Sequence, residues 1–485
     1  MASKCALSLL GVSAVNSMRM RTKAGFSSIA FIALASLIGA SGDRIPPLVE
    51  AAKDAEWEEV RSLVDGGADV NVREADGTTA LHWASYWDRV DIADLLIDEG
   101  AEVNVANDLG ATPLWPASLN ASEEMVRRLL AAGADPNLGL LSGETPLMTA
   151  SRSGGREVVL ELLAKGADPN ASATRGQTAL MWAVSQGHAD VVEVLIENGA
   201  GIHGRSDVWK QLWQTDGGEV VHPDLHVWID HGGNTPLLFA TMRGDLASAR
   251  ILVDAGADVN ETSPYGASAI VYAAHSGNAE LVRYLLEKGA DPNADGAGYT
   301  ALHAAMLRRH VDAATHLLEY GADPNAPLQT TTPTRRASDD FYFHPAWVGT
   351  TPFWLAARFS QPRVMRLLLD HGADPHFVHD VNYWMSTAIF TGLNRDEQGA
   401  TTALMAAVGM GGGRGFAAVD PVDREALSLE AVQIAIDAGI DVNAENAEGE
   451  TAVDQAAALG YQAVVDLLVA NGAPPPEERP RRPQR

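Results

Sequence analysis

The chain has 485 residues, 20% charged and 46% hydrophobic, a balance that excludes broad disorder and suggests several domains or one long array. Lys and Arg number 35 against 63 Asp and Glu, a net charge of −28 that repels nucleic-acid phosphates and anionic lipid. The only cysteine is Cys5, which excludes a disulfide framework, a Cys-ligated zinc site and a cysteine nucleophile beyond the N-terminal segment.

Arg19, Arg21 and Lys23 precede an apolar run from Phe26 to Ala40, and Ala40-Ser41-Gly42 then supply small residues. A basic stretch, a short apolar stretch and a small-residue exit predict a signal peptide over residues 1–42, hence export to the periplasm or outside the cell. The run is short for a bilayer-spanning helix, which needs roughly 20 residues; an anchor left uncleaved is the alternative. Met18 and Met20 are alternative starts.

From Asp43 onward one period organises the chain. Gly-Ala-Asp or a close variant begins at Gly67, Gly100, Gly133, Gly166, Gly199, Gly256, Gly289, Gly321, Gly372, Gly439 and Gly472. The intervals are 33, 33, 33, 33, 57, 33, 32, 51, 67 and 33. Before each helical stretch stands a second motif: Thr79-Ala-Leu-His82, Thr112-Pro-Leu-Trp115, Thr145-Pro-Leu-Met148, Thr235-Pro-Leu-Leu238, Thr300-Ala-Leu-His303 and Thr351-Pro-Phe-Trp354. In the copy at Thr178, the threonine caps a first helix whose Leu180 and Ala183 face inward. Gly187-His188 breaks the chain, Ala189 to Asn198 forms a second helix, and Gly199 ends it. One such unit cannot bury its own apolar face and must stack on neighbours.

Motif and period together resemble the ankyrin-repeat family, and exported bacterial proteins of that kind in particular. The resemblance implies an all-α ankyrin-repeat solenoid of about eleven helix-turn-helix repeats with β-hairpin fingers and loop insertions. The predicted layout is a leader at 1–42, repeats 1–5 at 43–203, an insertion at 204–231, repeats 6–8 at 232–325 and an insertion at 326–349. Repeat 9 follows at 350–376, an insertion at 377–399, repeats 10–11 at 400–473 and a Pro- and Arg-rich disordered tail at 474–485. The remaining excess length, Met410 to Asp423, falls between the two helices of the tenth copy.

The insertions carry five of the eleven tryptophans, Trp209, Trp213, Trp228, Trp347 and Trp384. Such segments either fold back into a satellite core or present a binding surface, and sequence leaves both open. The position that faces the groove in ankyrin proteins holds Trp83, Trp182, Phe239 and Tyr272, with Tyr86 and Trp87 beside the first. Aromatics there supply anchor area at low rotamer cost; packing beneath fingers or insertions is the plainer alternative. The expected function is therefore non-enzymatic: a scaffold gripping a protein partner of unknown identity and basic character, without cofactor, nucleic acid or membrane beyond the export signal.

The rival reading is a metal- or ligand-binding site, or an enzyme, built by the insertions. His222, Asp224 and His226, with His231 nearby, form the weak metal candidate, since alternate residues of a strand share a face. His371, His376 and His379 make a second weak cluster, and Gly411 to Gly415 lacks the ending of a phosphate-binding loop. Asn120, Asn170 and Asn260 stand in glycan-acceptor triplets.

Overall fold

Several of the repeated copies start at the threonine hydroxyl of their motif. Thr145 Oγ1 accepts from the Met148 N–H at 3.3 Å, and Thr178 and Thr402 do the same for Met181 and Met405. These caps satisfy N–H groups that a helix start leaves orphaned. The computed structural model describes residues 45–214, 226–331, 343–386, 394–412 and 421–476. Among these residues the helices come in eleven pairs.

In chain order the pairs are α1 (Pro47–Lys53) and α2 (Trp57–Asp65), α3 (Ala80–Tyr86) and α4 (Val90–Asp98), α5 (Leu114–Leu119) and α6 (Glu123–Ala131), α7 (Pro146–Ser153) and α8 (Arg156–Ala164), and α9 (Ala179–Gln186) and α10 (Ala189–Glu197). After the strand pair β1 (Val208–Gln214) and β2 (His226–Gly232) come α11 (Pro236–Arg243) and α12 (Leu246–Asp254), α13 (Ala269–Ser276) and α14 (Ala279–Glu287), α15 (Ala301–Leu307) and α16 (Val311–Glu319), and α17 (Pro352–Arg358) and α18 (Pro362–Asp370). The pair β3 (Val378–Ser386) and β4 (Asn394–Thr402) leads to α19 (Ala403–Ala407) and α20 (Pro421–Asp437), then α21 (Ala452–Leu459) and α22 (Gln462–Ala470). The described ends of the tenth-copy excess are the turn at Gly411–Gly412 and the start of α20, which runs 17 residues where most second helices run 9; residues 413–420 lie outside the described part, as do 1–44 and 477–485.

The chain divides into two compact units: residues up to Asp207 with Arg250–Ala257, and Val208–Ala249 with Asp258 onward. In the first, α1, α3, α5, α7 and α9 pack in sequence as one row, and α2, α4, α6, α8 and α10 as a second row. In the second unit α11, α13, α15, α17 and α19 form the first-helix row, and α14, α16, α18, α20 and α22 the other. The core takes Leu114, Leu147 and Leu180 from the first helices and Ile92, Leu96, Leu129, Leu162 and Leu195 from the second, all fully buried. Burying one such side chain is worth about 1.5–3 kcal/mol.

Alanine sets the spacing of the first-helix rows. Five residues after the Thr or Ser that precedes each first helix stand Ala84, Ala117, Ala150, Ala183, Ala240, Ala273, Ala305, Ala356, Ala407 and Ala456, each with no exposed surface. A larger side chain here would push adjacent helices apart. Between the helices of the fourth copy, Gly154 has φ of 78° and a Cβ on it would lie 2.6 Å from the His188 ring, so only glycine fits.

Two backbone ladders tie copies together. An asparagine at the same place in seven of the turns donates its amide to the next Gly-Ala turn and accepts an N–H two residues beyond it. Asn137 Nδ2 donates to Gly166 O at 2.9 Å, and the Asp168 N–H donates to Asn137 Oδ1 at 2.9 Å. Asn71, Asn104 and Asn170 repeat this in the first unit, and Asn260, Asn293 and Asn325 in the second. Where the following copy is preceded by a strand pair, histidine stands instead, as His203 and His376. The fingers form the other ladder. N–H groups of Asp108, Leu141, Thr174 and Asp207 donate to the carbonyls of Asp76, Leu109, Ser142 and Arg175 at 2.7–2.9 Å. The fingers themselves are tight turns, as in Asn107, whose N–H donates to Ala111 O while Gly110 N–H donates back to Asn107 O.

The expected insertions at 204–231 and 377–399 contain regular structure. β1 pairs antiparallel with β2 from Val208 opposite Gly232 to Gln214 opposite His226, and β3 with β4 from Val378 opposite Thr402 to Ser386 opposite Asn394. Both are fingers drawn out into long hairpins.

Candidate functional site

The aromatic residues expected at a partner surface divide into buried and accessible sets. Phe239 and Tyr272 are 6% exposed. Tyr272 lies edge-on to Tyr265, 6.4 Å between centroids, with its hydroxyl donating to the Tyr265 hydroxyl at 2.6 Å. Burial raises the Tyr272 phenol to about 12. Trp347 is interior: its Nε1 donates to Gly412 O at 3.0 Å, its ring meets Phe359 edge-on at 5.3 Å, and the Arg358 guanidinium lies 5.7 Å from it. Nearby Phe343 is also fully buried, against Tyr299 at 5.8 Å. The described end of the second insertion is thus a satellite core, and Phe239, Tyr272 and Trp347 are corrected from partner anchors to packing residues.

Trp182 is half-buried, with the Arg152 guanidinium 5.3 Å from its ring. Trp87 is 43% exposed and donates from Nε1 to Lys53 O at 3.2 Å. On the first hairpin Trp209 is half-buried and stacked on His231, which stands opposite it in the register, while Trp228 is 63% exposed. Trp213 and Trp384 sit on β1 and β3, but their side chains lie outside the described part.

Trp83 and Tyr86 belong to a concentrated feature in the first unit. Between the second and third copies lies a shallow hollow with space for about one water, lined by Trp83, Tyr86, Trp115, Pro116, His82 and Asn107 among others. Trp83 and Tyr86 meet edge-on at 5.7 Å, and Tyr86 meets Trp87 at 5.2 Å. Trp83 is nearly buried, whereas Tyr86 and Trp115 are half-buried. His82 Nδ1 accepts from the Thr79 N–H at 3.2 Å, so Nε2 carries the hydrogen and donates to Ala111 O in the next copy at 2.9 Å. Burial pushes this imidazole down to about 4, so it is neutral at pH 7.

Sequence reasoning missed Trp115. It stands three residues after the motif threonine, as His82 and His303 do in their copies, and so reads in sequence as part of the motif rather than the surface. The signal was present: an indole there needs an acceptor for its N–H. Trp354, at the same position, donates to Thr401 O at 3.2 Å, whereas the buried Trp115 Nε1 has no hydrogen-bond partner.

Of the weak metal candidates, His222 and Asp224 lie outside the described residues, and His226 opens β2 with its side chain likewise outside. Among the described residues no three His, Cys, Asp or Glu gather to hold a metal ion. His379 is buried with Nε2 on Ala346 O at 2.7 Å, and His371 Nδ1 faces Leu367 O of its own helix at 2.9 Å, so their rings serve separate backbone groups. The glycan-acceptor amides are also engaged: Asn170 and Asn260 in the ladder, and Asn120 on Tyr86 O at 2.8 Å. No helix among the described residues is long and apolar enough to cross a membrane.

Comparison with known proteins gives consistent matches. The family model for ankyrin repeats in three copies matches residues 32–107, 48–139, 114–206, 173–263 and 237–327, and the single-repeat model matches 348–380. The chain is 40% identical over 90 residues to an ankyrin repeat and SAM domain-containing protein of Rattus norvegicus, covering 18% of this chain and 10% of that one. It is 41% identical over 91 residues to a probable E3 ubiquitin-protein ligase of Oryza sativa, covering 18% and 17%. The matches thus span a small fraction of these relatives. The solved ankyrin repeat domain of human ASB11 aligns at 25% identity with a TM-score of 0.38, over 54% of this chain and 97% of that domain.

Proposed function

Because the chain belongs to the ankyrin-repeat family, we propose that it is a non-enzymatic scaffold that binds a protein partner through its first-helix rows and drawn-out hairpins. Modules of this family are generally interaction surfaces. The observation that carries the reading is the set of accessible aromatics held on rigid helices and on one hairpin: Tyr86, Trp87, Trp115, Trp182 and Trp228. Large rings fixed by packing give contact area at little entropic cost. A net charge of −28 favours a basic partner and speeds its encounter at low salt. The basic cluster and apolar run before Gly42 support export, so the partner would be met outside the cytoplasm.

The test is capture of partners by the full chain from the native envelope fraction. Wild type is compared with Trp182→Ala and with a chain whose 208–232 hairpin is replaced by a short turn. Loss of a specific partner in either variant is expected; unchanged capture by both removes the proposed surface. Fractionation of cells carrying the full chain tests export, and retention of an unshortened chain in the cytoplasm rejects it.

A further inference from the structure

The fingers of the third and fourth copies carry an apolar ridge outside the first-helix rows. Leu141 is 83% exposed, Leu109 48% and Leu138 38%, so three large accessible apolar side chains gather on two neighbouring fingers. The ridge is held firmly. The Leu141 N–H donates to Leu109 O at 2.9 Å, and within the fourth finger the Leu140 N–H donates to Glu144 O at 2.9 Å. Gly110 has φ of 83°, and a Cβ on it would lie 2.8 Å from the Leu141 nitrogen, so the two fingers meet backbone to backbone. Repeat packing does not call for leucine at these tips. Asp76, Ser142 and Arg175 stand at the place of Leu109 in adjacent copies, and Asp108 and Thr174 at the place of Leu141. Exposed leucines on a fixed tip, where equivalent residues are polar, mark a contact surface.

The finger ladder sets this ridge between two polar ends. On one side Asp108 precedes Leu109, and its N–H donates to Asp76 O at 2.7 Å. On the other, Ser142 follows Leu141 and its carbonyl accepts from the Thr174 N–H at 2.8 Å and Oγ1 at 2.7 Å, with Arg175 next. The surroundings are strongly acidic: over 68–78, 101–111 and 134–144, seven carboxylates stand against one cation, Arg73. Arg73 is paired with Glu102 at 3.3 Å, Lys53 with Glu74 at 2.5 Å and Arg152 with Glu144 at 2.8 Å. Asp76 and Asp108 have no ion pair among the described residues. This charge selects the occupant. A second copy would set the same carboxylates against each other, and three leucines fall short of the roughly 800 Å² a side that a stable pair of copies needs. An apolar segment with Lys or Arg at one end matches both parts of the surface at once.

We infer that Leu109, Leu138 and Leu141 receive a short apolar segment of a partner protein whose Lys or Arg residues, at one end, meet Asp76 and Asp108; this second contact rests on the binding reading above.

The probe is a blocked octapeptide, Ser-Lys-Arg-Gly-Leu-Ile-Leu-Ser, titrated to millimolar concentration into the full chain and read by leucine methyl NMR shifts. Controls replace its Lys-Arg by Glu-Glu, or its Leu-Ile-Leu by Ser-Gly-Ser. The probe should bind at least roughly fivefold more tightly than either control, and weaken as NaCl rises. Leu141→Ser should lower its affinity at least roughly fivefold, and Asp108→Asn about twofold with a shallower salt dependence. Both replace exposed side chains, so the thermal midpoint should stay where it is. Trp182→Ala should leave probe binding unchanged. Equal binding of the Glu-Glu peptide makes the ridge a plain apolar patch, and binding indifferent to Leu141→Ser and Leu109→Ser places the contact elsewhere. A concentration-dependent dimer lost with Leu141→Ser identifies a second copy as the occupant. Leucine methyl shifts on changing Arg479, Arg481, Arg482 and Arg485 to Gln identify the chain's own tail. Each of these outcomes, or no shift at millimolar probe, overturns the inference. If the probe fails while partner capture still depends on Trp182 or the hairpin, the scaffold reading stands. If the probe binds through Leu141 but capture ignores Trp182 and the hairpin, the first-helix surface fails instead.

Discussion

At the residue scale the third helical position shows how one motif serves several ends. His82 bridges its own cap to the next copy's Ala111, and Trp354 reaches Thr401 in the same manner. His303 keeps the cap, with Nδ1 accepting from Thr300 N–H at 3.2 Å, but its Nε2 is buried without a partner, and Phe343 lies edge-on to it at 6.1 Å. Burial drives both imidazoles down to about 4. Above pH 6.5 each ring is neutral in folded and unfolded chains alike. Between 6.5 and 4 only the unfolded chain takes up the proton, so stability falls as pH falls, by as much as about 3 kcal/mol per ring. Met148, Met181 and Met405 occupy the equivalent place and keep the threonine cap through their backbone N–H. His303→Met should therefore cost little at pH 7 and flatten the pH dependence. Urea midpoints at pH 7 and pH 5 check this; an equal drop in wild type and variant would show that His303 does not set it.

At the element scale the ladders decide how copies are joined. Each asparagine rung closes two hydrogen bonds between neighbours, as Asn137 does to Gly166 and Asp168. Both are exposed, so each is worth the modest net value of an ordinary hydrogen bond. Asn137→Ala should lower stability by about 1–2 kcal/mol in urea titrations, and Asn104→Ala by a similar amount, because the rungs are alike. A change below about 0.3 kcal/mol in both would mean that water replaces the rung at no cost. Much of this level was legible in sequence. The period of 33 gave the helix pairs, and the long intervals gave the sites of the insertions. The hairpins were not legible, for a physical reason. β4, Asn394–Thr402, is mostly polar with no apolar alternation. Its pairing is anchored where it runs into the cap of α19, since Thr402 is both its last residue and the N-cap of that helix. The aromatics misled for a related reason. Spacing places Trp83, Trp182, Phe239 and Tyr272 on equivalent faces, but what covers each face depends on neighbouring segments. Tyr265 covers Tyr272, while Trp182 is left half-open.

At the scale of the whole molecule charge is the dominant long-range term. The excess of acidic over basic groups is 28. Ion pairs such as Arg127 with Glu124 at 2.8 Å and Arg366 with Glu430 at 2.5 Å are exposed, so solvent screens them and each contributes little. Two effects of salt therefore oppose each other. Screening weakens these short-range pairs slightly, since their partners are already in contact. It weakens like-charge repulsion far more, because that acts over distances comparable to the screening length, about 30 Å at 0.01 M salt and about 10 Å at 0.1 M. Self-repulsion destabilises the compact state, so the second effect should win. Raising NaCl from 10 to 150 mM should move the thermal midpoint upward by a few degrees at pH 7.5, where His82 and His303 are neutral in both states and do not contribute. Scanning calorimetry of the full chain at fixed pH measures this directly. The same salt increase should slow association with a basic partner, so stability and binding rate would move in opposite directions. A midpoint that falls with salt would mean that local pairs outweigh the global repulsion, and would remove the electrostatic basis for expecting a basic partner.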